Sequence, residues 1–242
     1  MSPDEKAWQD IRLRIVAAAE AAHRDPGSIR VLAVSKSFPA QSIRTAYAMG
    51  QRAFGENYVR EAQAKIAALS GLPGIEWHLI GPLQSNKARA AARSFEWVET
   101  IDRQQIAQRL STARDAHLAP LNVCIQVNIS GETTKHGVIP SLALALARDV
   151  VRLPGLALRG FMGIAQAGGD SGPVRAQFHV LRELYDAGRR EGLALDTLSM
   201  GMSSDFEFAI AEGATQLRIG SALFGPRRPA ARTRIDGAMS QR

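Results

Sequence analysis

Hydrophobic and polar positions follow two alternating periods along the chain. Residues 4–22 set Trp8, Ile11, Ile15 and Ala18–Ala19 at helical spacing, and Asp25-Pro26-Gly27 stops that helix. One unit then recurs: a short apolar run, a polar or Gly-containing turn, and an amphipathic helical stretch. The runs lie at 31–35, 53–54, 77–80, 97–100, 123–128, 156–162, 195–200 and 216–219, eight in all. Helical stretches fall between them near 40–49, 57–69, 85–93, 103–117, 141–152, 173–190 and 204–212.

Strand–helix alternation predicts a parallel sheet, because parallel neighbours need a crossover. Eight units predict an α/β chain folded as a single-domain (β/α)8 TIM barrel with an extra N-terminal helix. A doubly wound open sheet is the competing arrangement. No Gly/Pro/Ser-rich linker divides the chain, so residues 1–226 read as one barrel domain and 227–242 as an Arg-rich, flexible C-terminal tail.

Length and composition narrow the class. A chain of 242 residues buries about 70–75% of its unfolded surface, enough for a core without staples. The apolar fraction of 45% and charged fraction of 22% exclude a disordered, collagenous or disulfide-built chain. Cys124 stands alone, which predicts a reducing compartment. No apolar run reaches the ~18 residues of a membrane span, and residues 1–10 lack an apolar signal core. The expectation is a cytoplasmic protein. Of the formal net charge of +7, +4 lies in 226–242, where Arg227, Arg228, Arg232, Arg234 and Arg242 face only Asp236. The folded part therefore carries no basic stripe that predicts nucleic-acid binding.

Candidate chemistry clusters where the apolar runs end, the face on which parallel barrels place their sites. Lys36 ends the first run and is one of only five lysines among 30 basic residues. An amine there can attack a carbonyl carbon, or can simply snorkel to solvent. Ser199-Met200-Gly201-Met202-Ser203-Ser204-Asp205 joins the seventh run to a helix, offering N–H groups and hydroxyls to a phosphate; Ser203 or Ser204 would otherwise serve as an N-cap. Arg218-Ile219-Gly220-Ser221 closes the eighth run with a fixed cation and a Gly-Ser turn, the alternative for Arg218 being a rim salt bridge. Asn57 follows the second run as a polar contact or an N-cap. His78 sits in an apolar run, where a satisfied core histidine is the commoner role, and Lys135 lies in a polar loop, reaching an anion or solvated. The five histidines show no metal-ligand spacing, and no Walker loop or Gly-x-Gly-x-x-Gly opens a helix.

These segments occur in order: Val34-Ser35-Lys36, Phe54-Gly55-Glu56-Asn57-Tyr58, the stretch from Trp77 to Lys87, Ser199 to Asp205, and Arg218 to Ser221. Over roughly residues 4–226 the sequence resembles the pyridoxal 5′-phosphate (PLP) homeostasis proteins, once described as proline synthetase co-transcribed. The resemblance implies a barrel like the N-terminal domain of alanine racemase. It implies PLP held as a Schiff base on Lys36, Asn57 at the site, Ser203, Ser204, Gly220 and Ser221 around the phosphate, and Arg218 facing the pyridine nitrogen. It further implies a role in managing the PLP supply without robust catalysis; a monomer with PLP-dependent client enzymes as partners is the accompanying expectation. The alternative is a PLP-dependent amino-acid racemase or decarboxylase. Racemases of this barrel type add a second domain bearing a catalytic tyrosine, and the expectation is that Tyr47, Tyr58 and Tyr185 do not fill that role.

Overall fold

The computed structural model describes residues 3–168 and 171–225. Helix α1 spans Pro3–Ala21, and a 3-10 turn at Pro26–Ser28 follows, capped by the Asp25 carboxylate on the Gly27 N–H. Eight strands come next: β1 Arg30–Val34, β2 Ala53–Glu56, β3 Glu76–Leu79, β4 Trp97–Ile101, β5 Leu121–Val127, β6 Leu156–Gly163, β7 Thr197–Ser199 and β8 Gln216–Ile219. Between and after them lie α2 Ala40–Ala48, α3 Val59–Ala68, α4 Ala88–Ser94, α5 Gln104–Ala113, α6 Pro140–Val150, α7 Ser171–Arg190, α8 Phe206–Ala211 and α9 Ser221–Phe224.

The strands pair in parallel in chain order, and β8 returns to β1 with Arg30 opposite Gln216 and Ala33 opposite Ile219. That closure makes a barrel and excludes the open doubly wound sheet. Ala33, Phe54, Leu79, Val98, Val123, Leu198 and Leu217 share one buried apolar core with residues from α1 to α9. They occupy one alternate set of strand positions, the face that helices cover in such a barrel. Where β6 meets β7 a side chain cannot fit: a Cβ on Gly160 would stand 1.7 Å from the Thr197 carbonyl oxygen.

The opposite set of strand positions points into the barrel and is polar for much of its depth. His78, Glu99, Gln126, Ser199, Gln216 and Arg218 are buried there, beside a small cluster of Trp97, Cys124 and Met162. Bulky branched side chains are the usual filling of such barrels. Charges in that position need partners, and their hydrogen bonds are given with the site below.

Several predicted elements shift. The stretch 103–117 leaves the helix after Ala113, where the Arg114 guanidinium is captured by the carbonyls of Ala92, Phe95 and Ala119. The stretch 85–93 begins as a 3-10 turn, Ser85–Lys87, before α4. The expected Gly-Ser turn after β8 opens the short helix α9. The expected tail at 227–242 lies outside the described residues.

Candidate functional site

A cleft of about 480 Å³ opens at the C-terminal end of the strands. The fold brings Lys36, Asn57, Ser203, Ser204, Arg218, Gly220 and Ser221 into its walls, from four strand–helix junctions spread over most of the chain.

Lys36 lies two residues beyond β1, in a turn closed by the Phe38 N–H on the Ser35 carbonyl (3.0 Å). Side chains alternate along the strand, so Lys36 continues the inward set of Leu32 and Val34. Val34 and Lys36 both line the cleft.

Arg218 comes up from β8 inside the barrel, only 4% exposed. Its Nη1 donates to Ser199 Oγ at 2.8 Å and its Nη2 to the Gly163 carbonyl at 2.7 Å. It is no rim salt bridge, contrary to that alternative. Ser199 Oγ in turn donates to Glu99 Oε2 (2.6 Å), while Glu99 Oε1 accepts from Gln216 Nε2 (2.8 Å) and lies 2.6 Å from His78 Nδ1. Burial pushes the Glu99 carboxyl up, but the His78 hydrogen bond and the nearby positive charges outweigh it and hold it below the usual range. Burial lowers the Arg218 pKa, opposed by Glu99 and Asp205. Such a guanidinium still keeps its proton at neutral pH. His78 is a core histidine satisfied on one side only. Its Nε2 is buried without a hydrogen-bond partner, 3.7 Å from Glu76 Oε2, and its ring stacks on Trp97.

The β7–α8 and β8–α9 junctions form the hydroxyl-rich corner. Gly201 adopts φ +90°, where a Cβ would stand 2.6 Å from the Ala209 side chain. The Met202 N–H then donates to Asp205 Oδ1 (2.6 Å), and Asp205 takes the N-cap position of α8. Ser203 and Ser204 are therefore not the caps; they sit in the preceding turn and line the cleft. Gly220 packs against β1, so that a Cβ there would approach Val34 Cβ to 3.3 Å. Beside it, Ser221 starts α9 and lines the same cleft.

Asn57 follows β2, and its Oδ1 is buried without a hydrogen-bond partner. Its backbone is held against Gly81, where a Cβ would fall 2.2 Å from the Asn57 carbonyl oxygen. Lys135 also lines the cleft, but is tied down rather than solvated: its Nζ donates to the Ala165 carbonyl (3.1 Å) and pairs with Glu132.

Sequence reasoning missed Glu99, Ser199 and Gln216 as supports of Arg218, and also missed Gln126, Thr134 and His136 in the cleft wall. For Glu99, Gln126, Ser199 and Gln216 the local signal was a polar residue inside an otherwise apolar strand; Thr134 and His136, in the loop after β5, gave none. Chemically, the cleft combines a primary amine, a corner of hydroxyls suited to an oxyanion, and a buried cation that only donates hydrogen bonds. No group of three or more His, Cys, Asp or Glu suited to a metal ion exists among the described residues.

The family model of the alanine racemase N-terminal domain matches residues 11–228. The pyridoxal phosphate homeostasis protein of Pseudomonas aeruginosa is 54% identical over 217 residues, covering 90% of this chain and 93% of that one. Its Escherichia coli K12 counterpart is 50% identical over 224 residues, covering 90% and 94%. The structure of PipY from Synechococcus elongatus PCC7942 with PLP bound superposes with a TM-score of 0.77 at 39% identity, covering 89% of this chain and all of that one. With this likeness spanning nearly the whole barrel, the chain belongs to the pyridoxal phosphate homeostasis protein family, built on the alanine racemase N-terminal fold.

Proposed function

We propose that this chain binds PLP at the barrel mouth as a Schiff base on Lys36 and serves intracellular PLP homeostasis without robust turnover. The observation that carries the reading is the meeting of Lys36, the Ser203, Ser204 and Ser221 hydroxyls and the buried Arg218 in one cleft. The name shared by the homologues and the PLP-bound PipY structure support it. The residues fit the cofactor. Asn57 Oδ1 is a buried polar atom lacking a partner at this cleft, and Gly220 lines it beside the serine corner.

PLP, when bound, supplies an aldehyde, an aromatic ring with a basic nitrogen, and a phosphate. Lys36 would supply the amine that holds the aldehyde carbon. Ser203, Ser204, Ser221 and the backbone at Gly220 hold the phosphate. Arg218 would face the ring nitrogen, with no proton to give it. A ring left unprotonated is a poor electron sink, so the same residue that anchors the cofactor keeps it quiet.

The racemase alternative, on the pattern of this barrel type, needs a tyrosine as the second acid–base group at the cofactor. Tyr47 donates its hydroxyl to the Pro73 carbonyl and Tyr185 to the Leu195 carbonyl, and neither these nor the exposed Tyr58 line the cleft. That arrangement favours holding over turnover. In this reading the chain acts as a cytoplasmic monomer that delivers PLP to client enzymes. Burial pushes the Cys124 thiol well up and leaves it unreactive.

The test is the absorbance spectrum of the purified protein with PLP, followed by borohydride reduction and peptide mapping. A yellow species bleached by borohydride, with the pyridoxyl group on a peptide from 31–44, is the expected result. Labelling mainly on Lys87 or Lys135 overturns the assignment of Lys36. Steady racemisation of an amino acid would favour the enzyme.

A further inference from the structure

Helix α3 contacts β2 and presents an ion cluster to the segment that carries Lys36. Lys65 Nζ donates to the Ser35 carbonyl oxygen at 2.8 Å, to Glu56 Oε1 at 2.7 Å and to Glu61 Oε1 at 2.8 Å. All three ammonium donors are thereby used. Glu56 Oε1 also accepts from Ser35 Oγ at 2.5 Å, and Glu61 Oε1 accepts from the Ser37 N–H at 2.7 Å. The residues immediately before and after Lys36 are thus tied to the same cluster.

The turn itself needs that support. Ser37 adopts φ +67° in the turn from Ser35 to Phe38. A positive φ at the third position of a turn normally calls for glycine. A serine keeps it only where the surroundings over-determine the backbone.

Burial of a cluster of this kind is weak ground for a purely stabilising role. Lys65 is 7% exposed and Glu56 fully buried, with Glu56 Oε2 lacking any hydrogen-bond partner. Buried ion pairs are often no better for stability than apolar residues of the same volume, whereas their directed hydrogen bonds do impose geometry. We propose that Lys65, clamped between Glu56 and Glu61, is a positioning residue that fixes the turn carrying Lys36 and so holds its amine ready in the cleft. This rests on the reading of Lys36 as the PLP-bearing residue.

The experiment compares two ligands on the full chain. PLP binding includes the bond to Lys36; pyridoxamine 5′-phosphate has the same ring and phosphate but no aldehyde, so it reads the rest of the cleft. Two variants are used: Glu61→Gln, on a partly exposed side chain, and the double variant Glu56→Gln with Lys65→Met, which leaves no buried charge unpaired. In both, the affinity for PLP is expected to fall at least tenfold, while that for pyridoxamine 5′-phosphate stays within twofold. Equal losses for both ligands, or no loss of PLP affinity, overturn the inference while leaving the site reading intact. Absence of a covalent adduct in the parent protein overturns the site reading, and this inference with it.

Discussion

Arg218 reaches Glu99 through a single hydroxyl: its Nη1 donates to Ser199 Oγ at 2.8 Å, and Ser199 Oγ donates to Glu99 Oε2 at 2.6 Å. The cation and the anion are both buried inside the barrel, and without Arg218 the Glu99 carboxylate is left to His78, Ser199 and Gln216. Arg218→Glu would set two carboxylates in this interior, which makes Arg218→Gln the usable probe. Arg218→Gln should cost about 1–3 kcal/mol, the usual range for leaving buried hydrogen-bonding groups without a partner. Adding Glu99→Gln should recover part of that loss in chemical denaturation. Strictly additive losses would show that the two charges are not coupled.

Lys36→Ala should abolish the covalent absorbance with PLP while leaving the barrel folded. The residue lies in a turn beyond β1 and is only partly buried, so the stability change should stay within about 1 kcal/mol. Circular dichroism melting checks the fold and the visible spectrum checks the bond. A yellow Lys36→Ala protein refutes the assignment.

The hydroxyl corner predicts that phosphate dominates affinity. Ser203, Ser204 and Ser221 offer charge-assisted hydrogen bonds worth very roughly 1.5–3 kcal/mol each. Pyridoxal without its phosphate should bind at least tenfold more weakly than PLP, and Ser203→Ala with Ser204→Ala should narrow that gap. Equal affinities in a competition titration would contradict this.

Acid stability should report on the other end of the barrel. The His78 ring, at an ion-pair distance of 3.7 Å, and the Arg30 guanidinium, at 2.8 Å, hold the Glu76 carboxyl at about 2 against partial burial. A folded pKa below the ordinary value of 4.5 adds stability that is complete above 4.5 and lost as pH falls toward 2. Glu76→Gln should therefore flatten the stability–pH curve in that window. An identical acid limb in parent and variant would show that Glu76 is not the group responsible.

Much of the architecture is legible along the chain because it is written in local periodicity. Apolar runs at 31–35 and 216–219 mark β1 and β8, and the helical spacing of Trp8, Ile11 and Ile15 marks α1. The cleft's lining is legible for a related reason: Lys36, Ser203, Ser204 and Ser221 stand just past the ends of such runs, where a parallel barrel opens. The Arg114 break of α5 was not, because the carbonyls that capture its guanidinium come partly from Ala92 and Phe95.

What the amino-acid order determined by itself was the alternation of elements, the barrel they imply and the junctions that carry chemistry. Only the tertiary structure decided what supports those junctions. Glu99 meets Ser199 across 100 positions of sequence and Gln216 across 117, and Lys65 meets Ser35 across 30. Periodicity records which face of an element is apolar, since burial acts on each residue separately. It does not record which buried polar groups pair, because a hydrogen bond depends on the relative position of two strands or helices that only closure of the barrel sets.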